Sequence, residues 1–457
     1  MMQSELLIQP SWPTQSYFHS VLDQDVLNHE HSSLISSLSM NEFLDYDHME
    51  GLDDVCSWLC DDDDQKMESE IPTDKSTENS NIWSPTISMT SSESRDSEAM
   101  EMESETGIQN LLTAYAEAMG LQQRKLAEVI QKCISEKVNP NGQTLERLAL
   151  NLFPCSENEK EYLKQESIRN FNTAFRGFYE IFPYGRFAHF TANSAILEAV
   201  PNHVDSVQIV DFDMGEGSQW PVVIQVMAQR RKSLTITSVK LEDDNSGLFE
   251  ETKMHLLNYA GSFGLNLKVE EKELGQIVNG NEFMAFNCMV GLPHMGRTRR
   301  RTQVIDFLKV AKQLLVKTQG IITFGDGEYS ERMENSPTYP SFFDGNLSHY
   351  KALYESMEWG FPSYLNEGRI AMETLFIAPF ISSISWLQKW EEGRENVFSQ
   401  NDLGLKGRKM SRESWSEVRE LVKEGESPYG IRVEGENENE MVLEWKGIPL
   451  VRVSVWM

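Results

Sequence analysis

A regular pattern of apolar positions begins at about residue 106 of the chain. The stretch "IQNLLTAYAEAMGLQQRKLAEVIQKCISEK" places five apolar side chains at helical spacing: Leu111, Tyr115, Met119, Leu126 and Ile130. The segments "NGQTLERLALNLF", "IRNFNTAFRGFYEIFP" and "ANSAILEAV" also have helical character, and the second is expected to end at Pro183. The pattern therefore predicts a helical cap over residues 106–200.

Beyond the cap, short apolar runs alternate with longer amphipathic ones. The apolar runs predict strands at 207–212, 234–240, 266–271, 283–289 and 320–324. The amphipathic runs predict helices near 219–231, 248–263, 273–279, 302–317, 346–358 and 366–377. A strand, a crossover helix and another apolar strand in succession predict a mostly parallel, doubly wound sheet.

The last part of the chain changes to short runs of alternating character. "YGIRVE", "MVLEWK" and "LVRVSVW" follow one another closely and predict antiparallel strands at the edge of the sheet. The expected fold class is therefore α/β. It is a Rossmann-like, methyltransferase-related core over residues 201–457, joined to the helical cap in one domain over 106–457.

Residues 1–105 lack this patterning and are predicted to be a disordered acidic tail. They hold 24 of the 71 acidic residues and three of the 41 basic ones, a formal charge of −21 against −9 for the rest of the chain. Within them, "LISSLSMNEFLDYDHMEGLDDVCSWLCDDDD" alternates acids with apolar side chains. That composition is typical of activation segments, which bind partner proteins, although an ordinary solvated tail remains the alternative.

Cysteine usage and the N-terminus indicate the compartment. The five cysteines are scattered and odd in number, which favours a reducing environment over a disulfide scaffold. The first residues, "MMQSELLIQPSWPTQ", lack the basic and apolar regions of a signal peptide. No apolar stretch approaches the ~20 residues that a membrane helix needs. We expect an intracellular protein that does not enter a membrane.

The chemistry that stands out follows the first predicted strand, in "VQIVDFDMGEGSQWP". Asp213, Gly215 and Gly217 match the D-x-G-x-G of nucleoside-binding methyltransferases, and Glu242 follows the second strand, where such enzymes hold ribose hydroxyls. The third small residue of that pattern is replaced by Gln219, and a bulky Trp220 follows. The residues form a degenerate candidate cofactor site, and a glycine-rich turn of structural importance alone is the favoured interpretation.

Few other sequence motifs indicate catalysis. The chain has no G-x-S-x-G, no Walker lysine motif and no H-E-x-x-H, and its histidines form no ligand-spaced pair in the folded part. We expect no enzyme, no cofactor and no metal. Two alternatives remain open: a methyltransferase of small molecules that uses S-adenosylmethionine, and a ligand-sensing Rossmann domain without catalysis.

Basic residues cluster in "GRTRRRTQ", which contains Arg297, Arg299, Arg300 and Arg301. Four arginines in five residues favour recognition by a nuclear import receptor or contact with nucleic acid. A solvated helix N-terminus is the alternative, although cations there oppose the helix dipole.

The blocks "VQIVDFDMGEGSQWP", "LNYAGSFGLNLKVEE", "LSHYKALYESM" and "LEWKGIPLVRVSVW", in this order, resemble the GRAS family of plant transcription regulators. "FYEIFPYGRFAHFTANSAILEAVP", "FNCMVGLPHMGR" and "GIITFGDGE" are similar to its nodulation-signalling-pathway branch, type two. The first block corresponds to the VHIID motif of the family, here Val207, Gln208, Ile209, Val210 and Asp211. The terminal SAW motif corresponds to Ser454, Val455 and Trp456.

The resemblance implies a nuclear regulator in symbiotic signalling, nodulation or mycorrhizal, that does not transfer methyl groups. It implies dimerisation with another GRAS protein through the leucine-rich cap, association with promoter DNA, direct or indirect, and contacts of the acidic tail with other transcription regulators. Arg369 and Glu373 are the candidates for the arginine–glutamate pair of the PFYRE region, and the sequence assigns neither a function.

Overall fold

The computed structural model describes residues 93–153, 174–241, 246–278, 283–295, 299–327, 336–361, 365–378, 381–395 and 404–457. The named helices of these residues are α1 (Glu93–Gly120), α2 (Arg124–Ser135), α3 (Thr144–Leu152), α4 (Pro183–Ala199), α5 (Pro221–Gln229), α6 (Ser246–Ser262), α7 (Arg301–Leu315), α8 (Tyr339–Gly360), α9 (Asn366–Phe376), α10 (Ser383–Glu395) and α11 (Arg412–Leu421). The strands are β1 (Ser206–Asp211), β2 (Ser233–Val239), β3 (Leu267–Lys272), β4 (Phe283–Val290), β5 (Gln319–Asp326), β6 (Tyr429–Glu434), β7 (Glu440–Trp445) and β8 (Ile448–Trp456).

The strands form one sheet in the order β3-β2-β1-β4-β5-β8-β7-β6. The first five strands in the chain pair in parallel, and β8, β7 and β6 continue the sheet in antiparallel pairing. β1 lies inside the sheet and is buried along nearly its whole length, which explains its continuous apolar sequence. The expected Rossmann-like fold with antiparallel edge strands is confirmed.

Two hydrophobic cores lie against this sheet. The larger one joins the helices of the cap, α8 and the side chains of Val207 and Ile209. The smaller one lies beneath α7 and contains Val210, Phe307 and Trp456. Because side chains alternate along a strand, the residues of β1 alternate between the two cores, and β1 is held from both faces.

The helix expected to end at Pro183 ends at Ile181, and Pro183 begins α4, because proline fits the first helical turn, where no backbone donor is needed. Three other features differ from the sequence-based expectation. The expected helix at 273–279 is wrong: Leu274–Gln276 form a single 3₁₀ turn. The region around Trp386 and Trp415 contains helices α10 and α11. Helix α1 begins at Glu93, inside the range expected for the tail. Residues 1–92 lie outside the described part, and with them most of the expected tail.

The helical cap packs on the sheet through α4, which contacts β5 and β8. Helices α1 and α2 pack together across a loop of three residues, Leu121, Gln122 and Gln123, so they form an antiparallel hairpin. In the described residues, no helix is long and apolar enough to cross a membrane. The cap and the sheet meet beside the carboxyl ends of the parallel strands, where the sequence placed its candidate chemistry.

Candidate functional site

The glycine turn after β1 is closed by a helix of the same chain. Gly215 and Gly217 have φ angles of 52° and 71°, in the left-handed region that glycine adopts without a steric penalty. The hydroxyl of Thr252, on α6, donates a hydrogen bond of 2.8 Å to the carbonyl of Gly215. A Cβ on Gly217 would lie 2.7 Å from Cγ2 of Thr252. The close approach that glycine permits here is therefore made to a protein side chain.

Asp213, the acid of the D-x-G-x-G pattern, forms an ion pair with Arg299. Nε of Arg299 lies 2.7 Å from Oδ2 of Asp213, and the two side chains are only 8% and 3% exposed. An acid proposed for a cofactor site and an arginine proposed for a surface cluster are thus brought together. This pair places positive charge beside the glycine turn and withdraws the guanidinium of Arg299 from solvent.

Asp211, the last residue of the VHIID motif, is held by two side-chain donors. The indole Nε1 of Trp220 donates to its Oδ2 at 2.8 Å, and Nδ2 of Asn287 donates to its Oδ1 at 2.9 Å. Burial raises the pKa of Asp211 to about 7, and the two hydrogen bonds oppose that rise. The ring of Trp220 is completely buried. Trp220, whose bulk does not fit the pattern of a nucleoside site, is therefore a hydrogen-bond partner of Asp211.

Gln219 extends this network into the cap. Its side-chain amide exchanges hydrogen bonds of 3.1 and 3.0 Å with that of Asn287 on β4, and it also donates to Oδ1 of Asn193 on α4 at 3.1 Å. Nδ2 of Asn193 returns a bond of 2.8 Å to the backbone carbonyl of Gln219. The hydroxyl of Thr323 on β5 donates to Asn287 at 2.9 Å. Buried polar groups of β1, β4, β5 and α4 thus satisfy one another, which fixes the cap on the sheet.

The remaining motif residues lie in the sheet. Gln208, which stands in place of the histidine of the family motif, donates to Oγ1 of Thr237 at 3.1 Å across β1 and β2. In the SAW motif, Ser454, Val455 and Trp456 pair in register with β5, and the indole of Trp456 donates to the hydroxyl of Ser454 at 2.9 Å. These motifs occupy packed interior positions.

Two of the candidate site residues, Glu242 and Arg297, lie outside the described residues. The others of the basic cluster separate: Arg299 is in its buried ion pair, Arg300 is exposed just before α7, and Arg301 is half-buried as the first residue of α7. Of the sequence-predicted residues that can be placed, the structure brings together Asp213 with Arg299, and Arg369 with Glu373.

A second buried cluster joins the cap to α9, and sequence reasoning missed two of its members, Arg147 and Glu358. Arg147, on α3, makes two hydrogen bonds to Glu373, at 3.0 and 3.2 Å. Arg369 contacts the same carboxylate at 2.6 Å, and Glu358 accepts a further bond from Arg147 at 3.1 Å. Arg147 and Glu373 are 226 positions apart in the chain, so no local pattern could have revealed the pair.

Two histidines, one in the cap and one that follows β4, lie side by side. His189, on α4, and His294, after β4, are buried with their ring centroids 5.0 Å apart, and Oη of Tyr179 lies 2.8 Å from Nδ1 of His189. Burial lowers the pKa of His189 to about 3, so its ring is neutral at physiological pH. The two rings pack against each other as aromatic groups.

The exposed face of α2 carries apolar side chains between lysines. Leu126, Val129 and Cys133, which we call the apolar stripe, lie at positions i, i+3 and i+7 and therefore on one side of the helix. Leu126 and Val129 are 48% and 60% exposed. Lys125 and Lys132 are exposed along the same side.

Comparison with known proteins agrees with this architecture. The GRAS domain family matches residues 108–457. Protein NODULATION SIGNALING PATHWAY 2 of Medicago truncatula is 28% identical over 391 residues, which cover 76% of this chain and 75% of that protein. The protein of the same name from Lotus japonicus is 28% identical over 386 residues, with the same two coverages.

A third relative and one solved structure extend the comparison. Scarecrow-like protein 26 of Arabidopsis thaliana is 28% identical over 388 residues, which cover 76% of this chain and 77% of that protein. The crystal structure of SCL7 of Oryza sativa superposes with a TM-score of 0.54 at 22% identity, covering 77% of this chain and 99% of that chain. At this identity, the structural likeness supports the fold alone.

Proposed function

The chain belongs to the GRAS domain family and is a plant GRAS regulator, and we propose that it regulates transcription in the nucleus together with a second GRAS protein. In this proposal the two proteins form a heterodimer through their caps and associate with promoter DNA. The names of the Medicago truncatula and Lotus japonicus relatives support nodulation signalling, or a related symbiotic pathway, as the process that the dimer regulates.

The observation that carries the proposal is the pairing of the strand-end residues with side chains of the same chain. Asp211 is held by Trp220, Asp213 by Arg299, and the glycine turn by Thr252. A methyl-donor site needs these acids and this turn to face a ligand, whereas here each is matched to a side chain of the same chain. The arrangement supports a scaffold that presents surfaces over an enzyme that uses a cofactor.

The cap offers a surface that fits a partner helix. The apolar stripe of α2 exposes Leu126 and Val129, and Leu121, just before the helix, is 70% exposed. Apolar side chains at helical spacing on an exposed face are typical of helices that pack against another helix. We place the contact with the second GRAS protein on the α1–α2 hairpin.

The basic segment at 297–301 supports a nuclear location. Arg300 is exposed and Arg301 half-buried, whereas Arg299 is engaged in the ion pair with Asp213. We therefore assign import or contact with DNA phosphates to Arg297, Arg300 and Arg301, and a structural role to Arg299. The acidic tail, with its charge of −21 over residues 1–105, would repel DNA, so we assign it to contacts with other transcription regulators.

The decisive experiment is assembly of the full chain with candidate GRAS proteins from the same plant. Light scattering gives the mass of each complex, and a mobility-shift assay compares promoter binding by the complex and by each protein alone. We expect a 1:1 heterodimer that binds DNA more tightly than either half. Val129→Glu should weaken the heterodimer at least tenfold, and Val316→Glu, at an exposed valine after α7, should leave it unchanged. A chain that stays monomeric with every candidate contradicts the proposal.

Two further measurements test the nuclear and non-enzymatic parts. Arg300→Ala combined with Arg301→Ala should lower nuclear accumulation of a fluorescent fusion, or promoter occupancy. Unchanged behaviour in both readouts removes the segment from the proposal. Isothermal titration with S-adenosylmethionine should give no heat of binding, and a micromolar dissociation constant would favour the methyltransferase alternative.

A further inference from the structure

The apolar stripe of α2 lies within a locally basic surface of an otherwise acidic chain. Between Leu121 and Val138 the sequence has four basic residues and two acidic ones, a net charge of +2, whereas the whole chain has −30. Lys125 and Lys132 border the stripe, and Leu126 and Val129 remain 48% and 60% exposed. A surface of this kind fits a segment that presents apolar side chains among carboxylates.

The chain itself contains such a segment at residues 41–64, "NEFLDYDHMEGLDDVCSWLCDDDD". It has ten acidic residues and no lysine or arginine, and its apolar side chains include Phe43, Leu44, Leu52, Trp58 and Leu59. Its charge is opposite to that of the α2 surface, and its apolar side chains match the apolar stripe in kind. The two sequences are therefore complementary in both respects.

The covalent connection allows the segment to reach the stripe. Helix α1 has 28 residues and is about 42 Å long, and α2 runs back beside it for about 18 Å. The apolar stripe therefore lies roughly 25–40 Å from Glu93, where the described part of the chain begins. The 28 residues between Asp64 and Glu93 can reach at most about 90 Å, which exceeds that distance.

We propose that the acidic segment 41–64 binds the apolar stripe of α2 in its own chain and competes there with the partner GRAS protein. The link raises the local concentration of the segment to about millimolar, so that even a weak contact is populated. A partner must displace it, which makes the tail a regulator of assembly. The competition rests on the proposed function, but the intramolecular contact does not.

Zero-length carbodiimide cross-linking of the full chain tests the contact, because it joins lysines to carboxylates that touch. An equal mixture of ¹⁴N- and ¹⁵N-labelled chains distinguishes cross-links within one chain from those between chains. We expect cross-links from residues 41–64 to Lys125 and Lys132 within one chain, at least fivefold more frequent than those to Lys317, an exposed lysine after α7. The excess should disappear at 1 M salt, where charges are screened beyond ~3 Å.

Two full-chain variants separate the apolar and charged contributions. Val129→Asp should lower the cross-links to Lys125 and Lys132 at least fivefold, and Val316→Asp, at a valine that is 78% exposed elsewhere, should not. Replacing Asp53, Asp54 and Asp61 to Asp64 by asparagine should strengthen partner binding several-fold, as measured by light scattering, because the competing segment is weakened.

The outcomes distinguish this inference from the proposed function. Equal labelling of Lys125 and Lys317, or insensitivity to Val129→Asp, overturns the tail contact. Cross-links found only between differently labelled chains also overturn it, in favour of a tail that binds a second copy. If the intramolecular cross-links are present and no GRAS protein binds, the contact stands and the proposed heterodimer fails.

Discussion

Replacing Arg299 by alanine should destabilise the folded domain far more than any other substitution in the basic segment. Its guanidinium pairs with Asp213 at 2.7 Å, and the carboxylate that would be left behind is only 3% exposed. Removing one partner of a buried ion pair takes away an attraction that offsets the burial of the other charge, and costs about 3–5 kcal/mol. A domain of about 350 residues has an unfolding entropy of about 0.7 kcal/mol/K, so the midpoint of thermal unfolding should fall by about 4–7 °C.

Differential scanning calorimetry measures this shift, with Arg300→Ala as the matched control. Arg300 is the next residue and is exposed, so its removal should change the free energy of unfolding by less than about 0.5 kcal/mol. The double variant Asp213→Ala with Arg299→Ala should cost less than the sum of the two single variants, because each single variant already removes the interaction between the two side chains. Equal, small shifts for Arg299→Ala and Arg300→Ala would refute the assignment of Arg299 to the fold. Loss of nuclear accumulation on removing Arg299 would then need to be explained by import.

Three further outcomes follow from the site. Glu373→Gln should lower the free energy of unfolding by about 3 kcal/mol, because it leaves two buried guanidinium groups. Glu358→Gln, at a side chain that is 51% exposed, should lower it by less than about 1 kcal/mol. Equal losses for the two variants would place the cluster outside the core. Gly217→Ala should lower the free energy of unfolding by about 1–3 kcal/mol more than Gly264→Ala. Both glycines have positive φ, but only a Cβ at Gly217 would collide with Thr252. Similar losses of stability would show that the collision relaxes. The pKa of Asp211 in the folded chain is about 7, above its unfolded value. The free energy of unfolding of the native chain, relative to that of Asp211→Asn, should therefore fall as pH rises from about 4 to 8. Chemical denaturation measures this difference in free energy, and a constant difference across the pH range would contradict the buried carboxyl.

The parallel sheet could be predicted from the sequence because its signals are local. The strands are short apolar runs separated by amphipathic helices, and a strand buried on both faces needs no alternation. The turn after β1 was also readable, because Gly215 and Gly217 adopt φ angles that other residues rarely adopt. The change to antiparallel strands near the end of the chain followed from short runs joined by short connections.

Helices α10 and α11 were not predicted, and for α10 the reason is a weak local pattern of apolar positions. Much of the side-chain packing of α10 comes from Trp386, whose ring contacts Phe343 and Tyr350 on α8. Pro183 marked a helix boundary correctly, because the preceding helix ends at Ile181 and α4 begins at the proline. For α10, the deciding contacts come from α8, a separate element of the chain.

The sequence by itself determined the elements of this protein, the glycine turn and the family motifs, since these depend on residues close together in the chain. Only the tertiary structure decided what the strand-end residues do. Asp213 meets Arg299 from 86 positions away, and Asp211 meets Asn287 from 76 positions away. Such pairings are set by the order of strands in the sheet and by the packing of the cap. The segment after β1 has a sequence typical of a cofactor-binding loop, but in the folded chain its polar side chains form hydrogen bonds and an ion pair with other side chains of the protein.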